Sequence, residues 1–188
     1  LLLAHSSVAQ IGYIALGFGL ASSASVAASF VHIGNHALIK GGLFMAVGGF
    51  VAALGSRTSL ASFVGIGRRM PITATAFTVC GLSLAGLPLT AGFISKLYLV
   101  RAILAQDAYV ITFLVLLSSA LSLIYLWKII EVMWMQPASA KAPNLSENPA
   151  IYVPLWTVAL ANIWFGVDAS WLVAASRAAA TALLGGGL

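Results

Sequence analysis

The sequence predicts an all-α, polytopic transmembrane helix bundle of about five to six spans, one of them a broken helix, and three observations carry this. The chain is 61% hydrophobic and 7% charged, with a mean hydropathy of +1.05, whereas soluble domains average about 25% charged residues. Its apolar stretches reach the roughly 20 residues needed to cross a bilayer. The few charges that interrupt them, Lys40 and Lys96 above all, cost about 3 kcal/mol each at the bilayer centre and are kept mainly where they pair, titrate or touch water.

Taken in order, residues 1–20, 25–54, 72–104, 109–135 and 151–167 qualify as spans, and residues 169–184 form an Ala-rich sixth candidate with Arg177 at its centre. That last segment can lie in the interface as well as cross. Leu1 opens onto an apolar run with no basic stretch or cleavage-like site before it ends, unlike a signal peptide. The net charge of +5 is scattered at the ends of apolar segments, which speaks for topology and against nucleic acid. Arg57, Arg68 and Arg69 share one connection, and Lys141 sits in the Pro-containing loop on the same side by alternation. The positive-inside rule makes that side cytoplasmic, and the expected location of a multi-pass chain of this kind is a cell membrane, the inner membrane of a bacterium. Cys80, the only cysteine, reads as a small buried hydrophobe.

Within the second span, His32, His36 and Lys40 stand at i, i+4 and i+8. They share one slowly drifting stripe about 12 Å long. Imidazole and a desolvated amine both exchange protons near neutral pH, so the stripe suits a proton path. A packing role for one histidine is the bland alternative. A metal site is disfavoured, with no thiolate or carboxylate nearby and a lysine charge to repel the cation. Gly34, Ala37, Gly41 and Gly48 form a neighbouring small-residue face on which other helices can close.

As one helix, residues 72–104 would be about 50 Å long, too long for a hydrocarbon core of about 30 Å. Gly86 and Pro88, followed by Gly92, stand in the middle and predict a break. Freed backbone groups at membrane depth need protein or water around them, and Lys96 follows the break, with Thr90 and Ser95 as candidate hydroxyl partners. A kinked helix with a snorkelling lysine is the alternative. Lys128 and Glu131 read as an i, i+3 pair at the cytoplasmic end of the fourth span, with a terminal proton-exit role as the other reading. His5, with Ser6, Ser7 and Gln10, begins a polar mouth or a cap on the first helix. The five tryptophans fit interfacial belts.

Four segments together carry a family resemblance: His5-Ser-Ser-Val-Ala-Gln-Ile-Gly-Tyr13, His32-Ile-Gly-Asn-His-Ala-Leu-Ile-Lys-Gly-Gly-Leu-Phe44, Gly67-Arg-Arg-Met-Pro71 and Leu82-Ser-Leu-Ala-Gly-Leu-Pro-Leu-Thr-Ala-Gly-Phe-Ile-Ser-Lys96. In this order they resemble the antiporter-like membrane subunits. These are the large subunits of Mrp-type cation/proton antiporters and the proton-pumping subunits of respiratory complex I and related hydrogenases. The likeness is tight over residues 1–104 and looser beyond. It implies a single membrane domain over 1–188 equivalent to the second repeat of an inverted-repeat transporter, in which His32, His36 and Lys40 match the central relay and Lys96 the residue that exchanges protons with the far side. Some complex I subunits carry glutamate where Lys96 stands, which favours a D-type antiporter subunit or another lysine-bearing relative; the segment 161–168 also resembles the D-type tail, a weaker signal than the motifs. The family's first repeat has no counterpart here, so the expectation is a truncated sequence or one half of a split subunit.

The resemblance therefore implies a proton-translocating subunit of a multisubunit Na⁺/proton antiporter, a transporter without cofactor or metal, with the bilayer, other membrane subunits, protons and possibly Na⁺ as partners. The alternatives are a pumping subunit of NADH-quinone oxidoreductase or a hydrogenase, and a non-conducting structural subunit. No nucleophile elbow or phosphate-binding glycine loop supports a membrane enzyme.

Overall fold

The computed structural model describes residues 2–55, 59–137 and 145–185. Arg57 and Lys141, two of the basic residues used for orientation, lie outside them. Among the described residues all regular structure is helical: α1 (Leu2–Gly19), α2 (Ser23–Leu54), a 3₁₀ turn (Leu60–Phe63), α3 (Ile66–Arg69), α4 (Pro71–Ala85), α5 (Ala91–Leu104), α6 (Tyr109–Trp134), α7 (Pro149–Val167) and α8 (Ser170–Gly185). By length and composition α2, α6 and α7 are each long and apolar enough to cross a membrane.

Local chemistry sets the helix ends. Ser22 and Ser25 form a reciprocal capping box that opens α2, and Gly55 closes it in the left-handed region at φ 71°. Pro71 opens α4 at a position where its missing N–H is no loss. The expected long third span is two helices of 15 and 14 residues, each about half a bilayer deep. Gly86 ends the first at φ 89°.

The long helix α2 is central, packed by α1, α4, α5, α7 and α8. Leu43, Ala46 and Phe50 of α2, Ala74 and Phe77 of α4, Met133 of α6 and Leu155 and Ala159 of α7 form the main apolar core. The small-residue face differs from the expected one. Among the described residues no neighbouring atom comes within 4 Å of where a Cβ would stand on Gly41 or Gly48, whereas a Cβ on Gly42 would strike Cys80 Sγ and one on Gly49 would meet Ile151 and Thr73. Close approach therefore falls one residue further along, because α4 and α7 both press on the side of α2 that carries Gly42 and Gly49. Gly34 does meet a neighbour, Leu172 of α8.

Helix α8 runs back along α2: Leu172 lies by Gly34, and Ala180 packs with Val26 and Ala27. The sixth candidate span is thus part of the bundle, antiparallel to α2. Ahead of it Asp168 accepts from Ser170 N at 3.0 Å, and hydrogen bonds from the Ser170 side chain and backbone hold its carboxyl below the ordinary range. A lowered carboxylate contributes above its unfolded pKa, so this cap is lost as pH falls through its folded value.

The connector before α7 is tied down at its end. Glu147 accepts from Ile72 N at 2.9 Å, Thr73 N at 2.7 Å and Thr73 Oγ1 at 2.7 Å, placing a carboxylate on the positive end of α4. Glu147→Gln is expected to cost about 1 kcal/mol, seen as a lower melting temperature of the detergent-solubilised complex. An unchanged melting temperature would mean that the cap is idle.

Candidate functional site

The break between α4 and α5 is a clasped junction. Ser83 Oγ donates to Asn162 Oδ1 of α7 at 3.0 Å and accepts from Gly92 N at 3.1 Å. From α2, Asn35 Nδ2 donates to Ala91 O at 2.6 Å. Thr90 Oγ1 donates to Leu87 O at 2.6 Å, and Leu89 sits at φ 68°, which a branched side chain adopts only under tertiary constraint. Gly92 lies inside the first turn of α5, where its missing Cβ leaves room for the Ser83 carbonyl. Ser83 of α4, Asn35 of α2 and Thr90 in the break thereby bond the backbone of the junction, with Asn162 of α7 holding Ser83, as irregular backbone at membrane depth requires.

Lys96 sits at the end of this clasp. Helical Cβ atoms tilt toward the N-terminus, so a lysine about one and a half turns into α5 reaches back to the break. Its ammonium donates to Leu84 O at 2.9 Å, Ala85 O at 3.0 Å and Ser119 Oγ of α6 at 2.8 Å. These carbonyls belong to the last turn of α4, which lacks intrahelical donors and carries the negative end of the helix dipole. A Cβ on Gly86 would lie 3.0 Å from Lys96 Cδ, so glycine there leaves room for the chain to pass. The Tyr13 ring is 5.6 Å from Nζ. Of the expected partners, Ser95 bonds His32 and Thr90 bonds Leu87, because both point away from the carbonyl cluster.

On α2, His32 is 2% exposed. Its Nδ1 is 2.9 Å from Ser95 Oγ, and its ring stacks on that of His36 with centroids 6.3 Å apart and planes within 11°. Nε2 of His32 and Nδ1 of His36 are buried without a hydrogen-bond partner among the described residues. Lys40, 6% exposed, turns toward α1 and donates to Leu3 O at 2.7 Å and to Ser6 Oγ. Among the described residues neither buried ammonium meets a carboxylate.

At the margins, His5 is exposed on α1. Lys128 Nζ pairs with Glu131 Oε2 at 3.1 Å on the surface of α6, with 60% and 33% of the side chains exposed. Sequence reasoning missed Asn35, Ser83, Ser119 and Asn162. Each is a polar residue inside an apolar helix, a signal that was present but weaker than a charge.

Several known proteins share this architecture. The chain is 42% identical over 179 residues to NADH-quinone oxidoreductase subunit N of Desulforudis audaxviator (strain MP104C), covering 88% of this chain and 36% of that protein. It is 28% identical over 169 residues to the D-type subunit of a Na⁺/H⁺ antiporter of Bacillus subtilis (strain 168), covering 89% of this chain and 34% of that protein. It superimposes on a chain of the Mrp complex from Dietzia sp. DQ12-45-1b with a TM-score of 0.87 at 23% identity, covering 98% of this chain and 42% of the other, a likeness of fold. The chain thus spans about a third of the length of these curated relatives. Residues 1–122 match the family described as NADH:quinone oxidoreductase/Mrp antiporter, TM, and the chain belongs to that family of multi-pass membrane subunits.

Proposed function

We propose that this chain is a proton-translocating part of an antiporter-like membrane subunit, with Lys40 and Lys96 as the groups that gain and lose the proton and His32 and His36 between them as relays. The observation that carries this reading is the setting of Lys96, whose ammonium is held by two carbonyls and a hydroxyl at a helix break. Neutral acceptors let the amine release its proton without abandoning a buried anion, which a salt bridge would forbid. Protonation of one lysine then disfavours protonation of the next through like-charge repulsion. The helices stay in place while charge moves.

His5 at one margin and the Lys128–Glu131 pair at another are the proposed points of entry or exit. The protein works among other membrane subunits, in the first reading those of a monovalent cation (Na⁺)/proton antiporter. A second reading, a subunit of NADH-quinone oxidoreductase or a related redox pump, is favoured by the 42% identity to the oxidoreductase relative against 28% to the antiporter relative. Under the first, proton movement in membrane vesicles follows added Na⁺; under the second, it follows quinone reduction. In either, Lys40→Ala in the assembled complex abolishes proton movement while the complex remains intact on a native gel. A wild-type rate would end the proposal.

A further inference from the structure

Helices α7 and α8 follow one track along α2. Ile151 lies by Gly49 and Val158 by Gly42, and the same direction continues in α8, where Leu172 lies by Gly34 and Ala180 packs with Val26 and Ala27. Residue numbers rise along α7 and α8 as they fall along α2, so the two are halves of one crossing, interrupted at Asp168 and Ala169. This interruption stands beside the first one. A Cβ on Gly166 would overlap Leu89 O and Thr90 Cα, both in the junction between α4 and α5. Since α4 and α5 are each about half a bilayer deep, Asp168, just beyond Gly166, also stands near the bilayer centre.

A carboxylate at that depth is costly unless something answers its charge. Asp168 is exposed at the surface of the bundle. Its own chain offers it the Ser170 backbone and side chain, neutral donors that use part of its acceptor capacity. Among the described residues no lysine or arginine pairs with it. The surface around it is apolar and aromatic: Trp164 and Trp171, one on each side of the break, are 64% and 70% exposed, and Val167 is 68% exposed. An open groove of about 610 Å³ runs along α7 past Leu160, Ile163 and Trp164 to Val167. At this depth neither tryptophan stands in the headgroup belt expected from the sequence, and exposed aromatic side chains around one charge have the composition of a protein interface. Lipid can cover the tryptophans but cannot neutralise the carboxylate.

We infer that the break between α7 and α8 is a docking site for a transmembrane helix of a neighbouring subunit, which seats apolar side chains in the groove and brings a lysine or arginine to Asp168. This rests on the reading that the chain works among other membrane subunits, and it is independent of which groups carry protons. The ion pair selects depth as well as partner, because sliding the docked helix by one turn, about 5.4 Å, leaves two charges unpaired in hydrocarbon.

The test uses the assembled complex in native membranes. With Trp171 replaced by the photoreactive p-benzoylphenylalanine, illumination is expected to join this chain to another membrane subunit, at a peptide that mass spectrometry shows to carry a lysine or arginine within an apolar run. Adducts confined to lipid or to this chain itself, or a partner peptide without a basic residue, overturn the proposal. Asp168→Asn keeps an acceptor for Ser170 and loses the charge, so a several-fold fall in assembled complex on a native gel reports the ion pair and not the helix cap. Asp168→Lys is expected to lower assembly by roughly tenfold or more, and exchanging the cross-linked cation of the partner for aspartate is expected to restore it. Wild-type assembly in Asp168→Lys overturns the pairing. If Asp168→Lys does not insert, the cross-link, made with Asp168 in place, decides. Co-migration of the unaltered chain with other subunits tests the wider reading separately: a chain that migrates alone removes that reading, whereas an intact complex with only lipid adducts at position 171 removes the docking site alone.

Discussion

Lys96→Ala in the assembled complex is expected to reduce proton movement to background while the complex still forms. Alanine removes the cationic group at the break and leaves Ala85 O its hydrogen bond from Ser119 Oγ while Leu84 O loses the lysine's, so the cost to folding is that of one carbonyl bond and the cost to transfer is total. Lys96→Arg sharpens the comparison. Guanidinium keeps the charge and can still bond the same carbonyls, but it does not release a proton at any accessible pH. The arginine variant is therefore expected to assemble as well as wild type and to remain inactive. Vesicle measurements of proton movement, read beside native-gel assembly, separate the two roles: activity in the arginine variant would mean that Lys96 acts as a fixed charge.

Gly92→Ala is expected to have the largest structural effect. A Cβ at that position would overlap the Ser83 carbonyl, a backbone atom that cannot swing aside, and separating the two would draw Gly92 N away from Ser83 Oγ and Ser83 from Asn162. Overpacking of a tight site costs about 1–3 kcal/mol, and loss of the buried hydrogen bonds adds to it. The assembled complex should be scarce in membranes, with transport reduced in proportion or worse. Gly12→Ala is the matched control, since among the described residues nothing lies within 4 Å of its added methyl. Equal assembly of the two variants would show that the junction is looser than the contact between Ser83 and Gly92 implies.

How much of this could be read beforehand depended on whether the signal was local. The break was legible because Gly86 and Pro88 act on their own backbone, and the two lysines stood out because charge in an apolar run is costly wherever the helix packs. The partners of those lysines were not legible. Ser6 and Ser119 reach them across helix interfaces, and nothing in the spacing of a serine along α1 or α6 says which neighbour it will face. Thr90 and Ser95 were nearer in sequence to Lys96 and were expected to serve it, yet helical tilt carries the lysine back to the carbonyls of α4 while those hydroxyls bond Leu87 and His32. The glycine face was displaced by one residue for a similar reason. At 100° per residue Gly41 and Gly42 point in different directions, and only the arrangement of α4 and α7 decides which one is pressed. The sixth candidate span, α8, could be judged only from its contacts with α2.

The most direct test is a structure of the whole complex at a resolution that shows ordered water. The account predicts ordered waters joining Lys40 and Lys96 along the His32–His36 stripe, with the two imidazoles among their protein ligands. A dry interior with each lysine locked to a carboxylate of a neighbouring subunit would contradict it and leave the chain a structural component of its complex.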